Sequence, residues 1–230
     1  MTKKAVETKE AVIAIQPVEK ENVIVRIKGD TPLIVHAWSK KAKQEMLDKQ
    51  TGKTKTSKKA EKNPIQDFIE SAYWMDGEPE AFTEEAFEEA ISKGARFGFP
   101  VTAIKQGAAM AASRNGIDIR TTQVKGAFFI EGEGPDQLAE IHSTTPPRMR
   151  EDMVRVGGIS KTADIRYRAQ FDDWYMDLKI IFNKNGPISL EQIINLINLG
   201  GFSCGLGEWR MEKNGNYGAY SVVGIVNQQA

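Results

Sequence analysis

From Leu199 to Arg210 the chain runs Leu-Gly-Gly-Phe-Ser-Cys-Gly-Leu-Gly-Glu-Trp-Arg, and from Gly215 to Tyr220 it runs Gly-Asn-Tyr-Gly-Ala-Tyr. Glycines at this density allow backbone with φ > 0 and let a bulky group approach the main chain closely. Cradling a phosphate and shaping a tight turn beside a nucleic-acid backbone are the two usual purposes. Two familiar glycine motifs are excluded by context. No Gly-Lys-Ser/Thr follows Gly205-Leu206-Gly207-Glu208, as a P-loop requires, and the segment follows a helix rather than the strand of a dinucleotide fingerprint.

The helix before this loop is the clearest in the chain. Ser189 and Gln192 form a capping box, Leu190, Ile193, Ile194 and Ile197 fall at i, i+3, i+4 and i+7, and Gly200-Gly201 is expected to end it. The β-branched run Ser221–Val226 after the loop predicts a strand, as do Asn22–Lys28, stopped by Gly29-Asp30, then Gln123–Glu131 and Trp174–Phe182. Thr31–Val35 is expected to stay extended because Thr31 precedes proline. Further helices are predicted over Lys40–Lys49, Pro64–Trp74, Thr102–Ser113 and from an N-cap at Thr83 to Gly94, the last with Glu84 and Glu85 in its first turn. Gln50–Asn63 is expected to be a loop, and a polar stretch with Pro146-Pro147 and Gly157-Gly158 precedes the third strand.

Stripped of two long insertions, at about residues 30–97 and 132–172, the order is strand, helix, strand, strand, helix, strand. That is the order of an α+β, ferredoxin-like (RRM-like) double split βαβ sheet. Residues 1–21 alternate charge with small apolar groups and are expected to form a flexible arm, leaving one domain over 22–230.

Charge narrows the classes of partner. Lysine plus arginine equals aspartate plus glutamate, 31 each, so any attraction of polyanions must come from local patches. Residues 39–62 hold nine lysines against Glu45, Asp48 and Glu61, and residues 146–170 hold six bases against three acids. Seven acids and no base lie between Asp76 and Glu89, which fits an exposed helix face. A single cysteine, Cys204, excludes an internal disulfide framework and suits a reducing compartment. Neither a leader-like apolar stretch nor a run of about 18 apolar residues is present, so the expectation is a cytoplasmic protein with no membrane partner.

Three segments resemble the RAMP superfamily, and within it the repeated backbone subunit of CRISPR effector complexes. Gly29-Asp30-Thr31-Pro32-Leu33 is similar to that family's entry after the first strand, and Phe99–Ala108 is similar to its helix start, with Lys105 matching the family lysine. Gly205–Arg210 with Tyr217–Val222 is similar to its C-terminal glycine-rich loop. The chain departs from the pattern at Val101 and Thr102, where the family has Gly and Ser, and it keeps one loop arginine, Arg210. The chain also looks like small proteins of phage and prophage genomes, which implies a bacterial host cell.

The resemblance implies a non-enzymatic homo-oligomer that wraps single-stranded RNA or DNA. The residues expected to contact the strand are Lys40, Lys41, Lys43, Lys105, Arg148, Arg150, Arg155, Lys161, Arg166, Arg168, Trp209 and Arg210. Lysine and arginine would neutralise phosphates, loop N–H groups would meet phosphates at close range, and Trp38, Trp209 and Tyr217 would stack or wedge bases. Two alternatives stay open: a metal-dependent ribonuclease of the same fold using an acid such as Asp48 or Asp67, and a virion structural or scaffold protein. No cofactor or metal is expected, since His36 and His142 lie far apart with no ligand spacing and Cys204 has no paired histidine motif.

Overall fold

The computed structural model describes residues 17–52, 62–156 and 162–226. Along the chain these form β1 (Lys20–Gly29), β2 (Leu33–Val35), α1 (Lys40–Gln50), α2 (Pro64–Ser71), β3 (Trp74–Asp76), α3 (Glu84–Ser92), β4 (Arg96–Pro100) and α4 (Val101–Arg114). Then come α5 (Thr121–Ala127), β5 (Phe128–Glu131), β6 (Leu138–Ile141), β7 (Arg148–Val156), β8 (Thr162–Phe171), β9 (Tyr175–Asn183), α6 (Leu190–Ser203) and β10 (Tyr220–Ile225). The chain is a mixed α+β protein with antiparallel sheets.

The largest sheet has the order β10-β1-β9-β5, every neighbour antiparallel. Strict alternation decides its faces: Met176, Leu178, Ile180 and Phe182 of β9 are buried, as are Val25 and Ile27 of β1 and Phe128 and Ile130 of β5. Ile27 faces Met176 and Val25 faces Leu178 across the ladder, so one register buries the whole apolar set. Helices α4 and α6 join this core through Ile104, Ala108, Ile193 and Ile197. The helices cross at backbone distance, because a Cβ on Gly200 would come within 2.9 Å of the Gly107 carbonyl carbon.

That crossing corrects the expected end of α6. Gly200 and Gly201 do not terminate the helix; they are buried inside it, against Gly107 and beneath the Tyr220 carbonyl, and the helix runs on to Ser203. Gly205 supplies the left-handed stop instead, with φ +69° and its N–H donated to Gly200 O at 3.0 Å. A second correction concerns Gln123–Glu131. Its first half is the helical turn α5, where Gln123 Oε1 accepts the Arg120 N–H at 2.9 Å and Val124 is buried; only Phe128–Glu131 is strand. Trp74, expected at the end of a helix, lies in β3.

The two insertions pair with each other. β2 joins β8, which joins β7, and β4 lies between β3 and β6. The polar stretch before the third strand is therefore a long hairpin, aligned from Arg148 opposite Gln170 to Val156 opposite Thr162. Ser71 at the end of α2 fastens it to the body by accepting the Ala169 N–H at 2.8 Å. Of the expected arm, residues 1–16 lie outside the described residues, while Lys20 and Glu21 belong to β1. Most of the expected Gln50–Asn63 loop is likewise outside them.

Candidate nucleic-acid interface

The glycine-rich segment is held by the strand after β1. Glu208 N–H donates to Ile34 O at 2.8 Å, Gly218 N–H to Pro32 O at 2.8 Å, and Ala219 N–H to Thr31 Oγ1 at 3.0 Å. Asp30 N–H returns a bond to Ala219 O at 2.9 Å, and Leu206 N–H donates to Gly218 O at 2.9 Å. Several loop N–H groups expected to meet phosphates are thus occupied by the fold itself. Gly207, at φ +71°, lies so near Ile34 that a Cβ would overlap its carbonyl oxygen. Trp209 takes φ +52° without being glycine and exposes 40% of its surface.

The third segment of the resemblance lies against the same loop. Cys204, buried, directs its Sγ at Gly107 O, 3.6 Å away, so the middle of α4 packs on the end of α6. Segments from three distant parts of the sequence therefore meet on one face. Two clefts open there and share Tyr73. The larger, about 430 Å³, is lined by Trp38, Lys40 and Lys43 together with Glu70, Glu78 and Asp136. The smaller, about 260 Å³, is lined by His36, Tyr73, Phe99, Gln106, Glu208 and Arg210.

The expected basic residues divide into distinct settings. Lys40 pairs with Glu78 at 2.9 Å, while Lys43 lies exposed beside the larger cleft. Lys105, on α4, has its ammonium 5.7 Å from the Phe128 ring centroid, and burial lowers its pKa. Arg210 donates to Gly207 O at 2.9 Å and pairs with Glu212 at 3.0 Å. The structure does not describe the Lys41 side chain or Lys161.

The hairpin arginines are tied to acids. Arg148 holds Asp172 through two bonds of 2.6 and 3.2 Å, and Arg166 lies 3.8 Å from Asp164. Arg150 bonds Asp152 at 2.8 Å, and Arg168, only 3% exposed, bonds the same carboxylate at 3.1 Å and reaches Glu208 at 3.4 Å. Arg155, near the hairpin tip, is exposed. Sequence alone marks this set as a basic patch. In space, Arg150 and Arg168 brace the hairpin to the glycine loop through Tyr217 and Glu208, whereas the acids beside Arg148 and Arg166 belong to the hairpin region itself.

Sequence marks His36 only as a histidine without ligand spacing and does not single out Tyr73, Gln106 or Glu208, although Glu208 stands within the glycine motif. Burial, then the nearby Arg168, lowers the His36 pKa, and Glu208 opposes that shift. Burial, then Glu208, raises the Tyr73 phenol. Of the acids considered for cleavage, Asp48 accepts Gln44 Nε2 at 2.8 Å on α1 and Asp67 occupies the first turn of α2. Among the described residues no group of three or more His, Cys, Asp or Glu is placed to hold a metal ion, and no helix is long and apolar enough to cross a membrane.

No protein-family model matches this chain, and no match was found among the curated proteins.

Proposed function

We propose that the chain is a non-enzymatic protein that binds single-stranded RNA or DNA and oligomerises along it, a RAMP-like, phage- or prophage-encoded relative of CRISPR backbone subunits that works in the cytoplasm of a bacterial host. The observation that carries the reading is the convergence of the three resembling segments. Gly29–Leu33 and the glycine-rich loop are joined by the bonds between Gly218 N–H and Pro32 O, Ala219 N–H and Thr31 Oγ1, and Asp30 N–H and Ala219 O, while Phe99, Gln106 and Gly107 of the middle segment line one cleft with Gly205, Leu206, Gly207 and Glu208. The strand order β10-β1-β9-β5, numbered within that sheet alone as 4-1-3-2, agrees with a ferredoxin-like double split βαβ unit. Trp38, 63% exposed, lines the larger cleft with Lys43 and with Lys40, which is paired with Glu78, and Trp209, 40% exposed, adjoins Arg210, which is paired with Glu212, in the loop; exposed rings beside cations are the combination that stacks bases and neutralises phosphates.

The test is size exclusion with light scattering and the 260/280 nm absorbance ratio on protein purified without nuclease, followed by oligonucleotide titration at low salt. Particles larger than one chain that carry nucleic acid and dissolve with nuclease are expected. Failure to bind any oligonucleotide at low salt defeats the reading.

One observation favours a second reading, the scaffold protein. Arg148, Arg150, Arg166 and Arg168 all lie against acids of their own chain, so this cluster offers polyanions little net charge. An assembly that survives both nuclease and high salt would support it.

A further inference from the structure

We propose that the smaller cleft receives one nucleobase of the bound strand and takes guanine ahead of the other bases, with the Glu208 carboxylate as the recognising group. The inference rests on the nucleic-acid reading above and adds to it a specificity that a pure backbone grip would lack.

Size comes first. At about 260 Å³ the cleft falls below the roughly 300–1,000 Å³ usual for sites of drug-sized ligands, and a single heterocycle suits it better. Its lining includes three rings, His36, Tyr73 and Phe99, the latter two packed edge to face with centroids 5.8 Å apart. The buried setting of His36 and its neighbour Arg168 favour the neutral imidazole, a ring that stacks on a base without adding charge.

Among the polar side chains that line this space, beside Gln106, Arg210 and Glu212, Glu208 supplies a carboxylate acceptor. Glu208 is rooted on rigid backbone, because its N–H is bonded to Ile34 O at 2.8 Å and the preceding Gly207 is held in the left-handed region. Its carboxylate is 41% exposed, and Arg168 Nη2 approaches one of its oxygens at 3.4 Å. Glu208 lines the cleft together with His36 and Tyr73, and its charge acts on both. The other acid of the cleft, Glu212, is engaged by Arg114 at 2.9 Å and by Arg210 at 3.0 Å.

An ionised carboxylate accepts hydrogen bonds and donates none. Guanine is the base whose Watson–Crick edge offers two adjacent donors, N1–H and N2–H, which a carboxylate can accept side by side. Adenine and cytosine each present one amino group beside a ring acceptor, and uracil or thymine one N–H between two carbonyl oxygens. Those edges place at least one lone pair against the carboxylate, so Glu208 selects against them as well as for guanine.

The experiment is fluorescence anisotropy on the full chain at low salt, with labelled uridine and thymidine oligonucleotides of about 16 nucleotides, the upper end of single-strand site sizes. Each is compared with versions carrying one central guanine, inosine, adenine or cytosine. A single guanine is expected to tighten binding about tenfold, the scale of a hydrogen bond to a charged group, with inosine, which lacks the N2 amino group, in between. Glu208→Gln, which replaces one acceptor by a donor, is expected to abolish the difference between guanine and uridine, read as the ratio of the two affinities within the same variant. Equal affinity for all bases, or discrimination unchanged in Glu208→Gln, overturns the guanine cleft and leaves the strand-binding reading intact. Binding to none of the oligonucleotides overturns both. If the variant does not fold, the inosine series on the unaltered protein decides alone: inosine equal to guanine refutes the paired-donor contact.

Discussion

The Arg150 guanidinium lies over the ring of Tyr217, 4.7 Å from its centroid, and its Nη1 donates to the Tyr217 hydroxyl at 3.0 Å. One residue belongs to the β7–β8 hairpin and the other to the glycine-rich loop, 67 positions apart. Arg150 also bonds Asp152 at 2.8 Å and Gln170 at 3.1 Å, so this contact fixes the hairpin base to the loop.

Tyr217→Phe keeps the ring beneath the guanidinium and removes one acceptor, so we expect a loss of about 1 kcal/mol. Arg150→Met also strips the Asp152 carboxylate, 5% exposed, of one of its two cations, and about 2–3 kcal/mol is expected. The double variant should lose less than the sum, since both changes break one contact. Urea unfolding of the four proteins measures this; strict additivity would show that the contact carries no energy.

Beneath that contact, Asp152 and Arg168 form a buried pair at 3.1 Å with side chains 5% and 3% exposed. Asp152→Ala leaves a buried guanidinium whose Nε already has no hydrogen-bond partner among the described residues. The expected loss is about 3–5 kcal/mol. Replacing both partners by apolar residues, Asp152→Leu with Arg168→Met, should recover part of it, because neither charge of the pair is then stranded although Arg150 still loses its Asp152 partner. A double variant no more stable than Asp152→Ala in the same denaturation assay would contradict this account.

Gly207 and Gly94 separate two costs that sequence cannot tell apart. Both have positive φ, +71° and +82°, but a Cβ on Gly94 meets nothing within 4 Å whereas one on Gly207 overlaps Ile34 O. Gly94→Ala should therefore cost only the left-handed penalty, about 1–2 kcal/mol. Gly207→Ala adds a backbone clash and should cost several kcal/mol or prevent folding. Similar melting temperatures for the two would refute the close approach.

Local signals made much of the central sheet legible. The β-branched runs at β1 and β10 and the aromatic-aliphatic run at β9 lie within a residue or two of the expected bounds, and Ser189 caps α6 with Gln192 as its spacing predicts. Most of the misses trace to partners distant in sequence, the α5 turn capped by Gln123 three residues from Arg120 being the local exception. Nothing local in Arg148–Val156 marks a strand, because its charges are balanced across the ladder, Asp152 facing Arg166, and its alternation carries little apolar signal. Gly200-Gly201 looks like a stop until Gly107 is placed beside it. The candidate face was legible as segments but not as a surface. Lysine and arginine runs announce themselves in sequence, but their compensation does not: Asp152 and Asp164 stand on the same strands as Arg150 and Arg166, while Glu78 reaches Lys40, Glu208 reaches Arg168, and His36 and Tyr73 reach one cleft only through the fold.

His36 gives the structure a pH dependence with a definite sign. Its folded pKa lies below the ordinary imidazole value of about 6.5, chiefly from burial, with Arg168 and Arg166 adding to the shift and Glu208 opposing it. The unfolded chain therefore binds more protons near that value, and stability rises with pH from the folded pKa up to about 6.5 and is lost as pH falls through the same window. Urea midpoints taken between about pH 7 and pH 5.5 should fall toward the acid side, and His36→Gln should flatten that slope. An unchanged slope in the variant would assign the dependence to other groups.

The path of the strand is decided by which cations cost counterions. Lys43 lies exposed beside the larger cleft, so on the proposed path Lys43→Ala should reduce the slope of log affinity against log salt by about 1. Arg148 is more than half exposed but held by Asp172 through two bonds, so a phosphate would have to displace a bidentate carboxylate to reach it. Arg148→Ala should then leave the slope nearly unchanged and weaken binding little. The reverse pattern, a full unit lost at Arg148 and none at Lys43, would move the strand from the glycine-loop face onto the outer side of the hairpin. Asp172→Asn makes the comparison independent of that carboxylate: it frees the Arg148 charge, and tighter binding that also steepens with salt would show that the hairpin lies within reach of the strand and is silenced by its own acid.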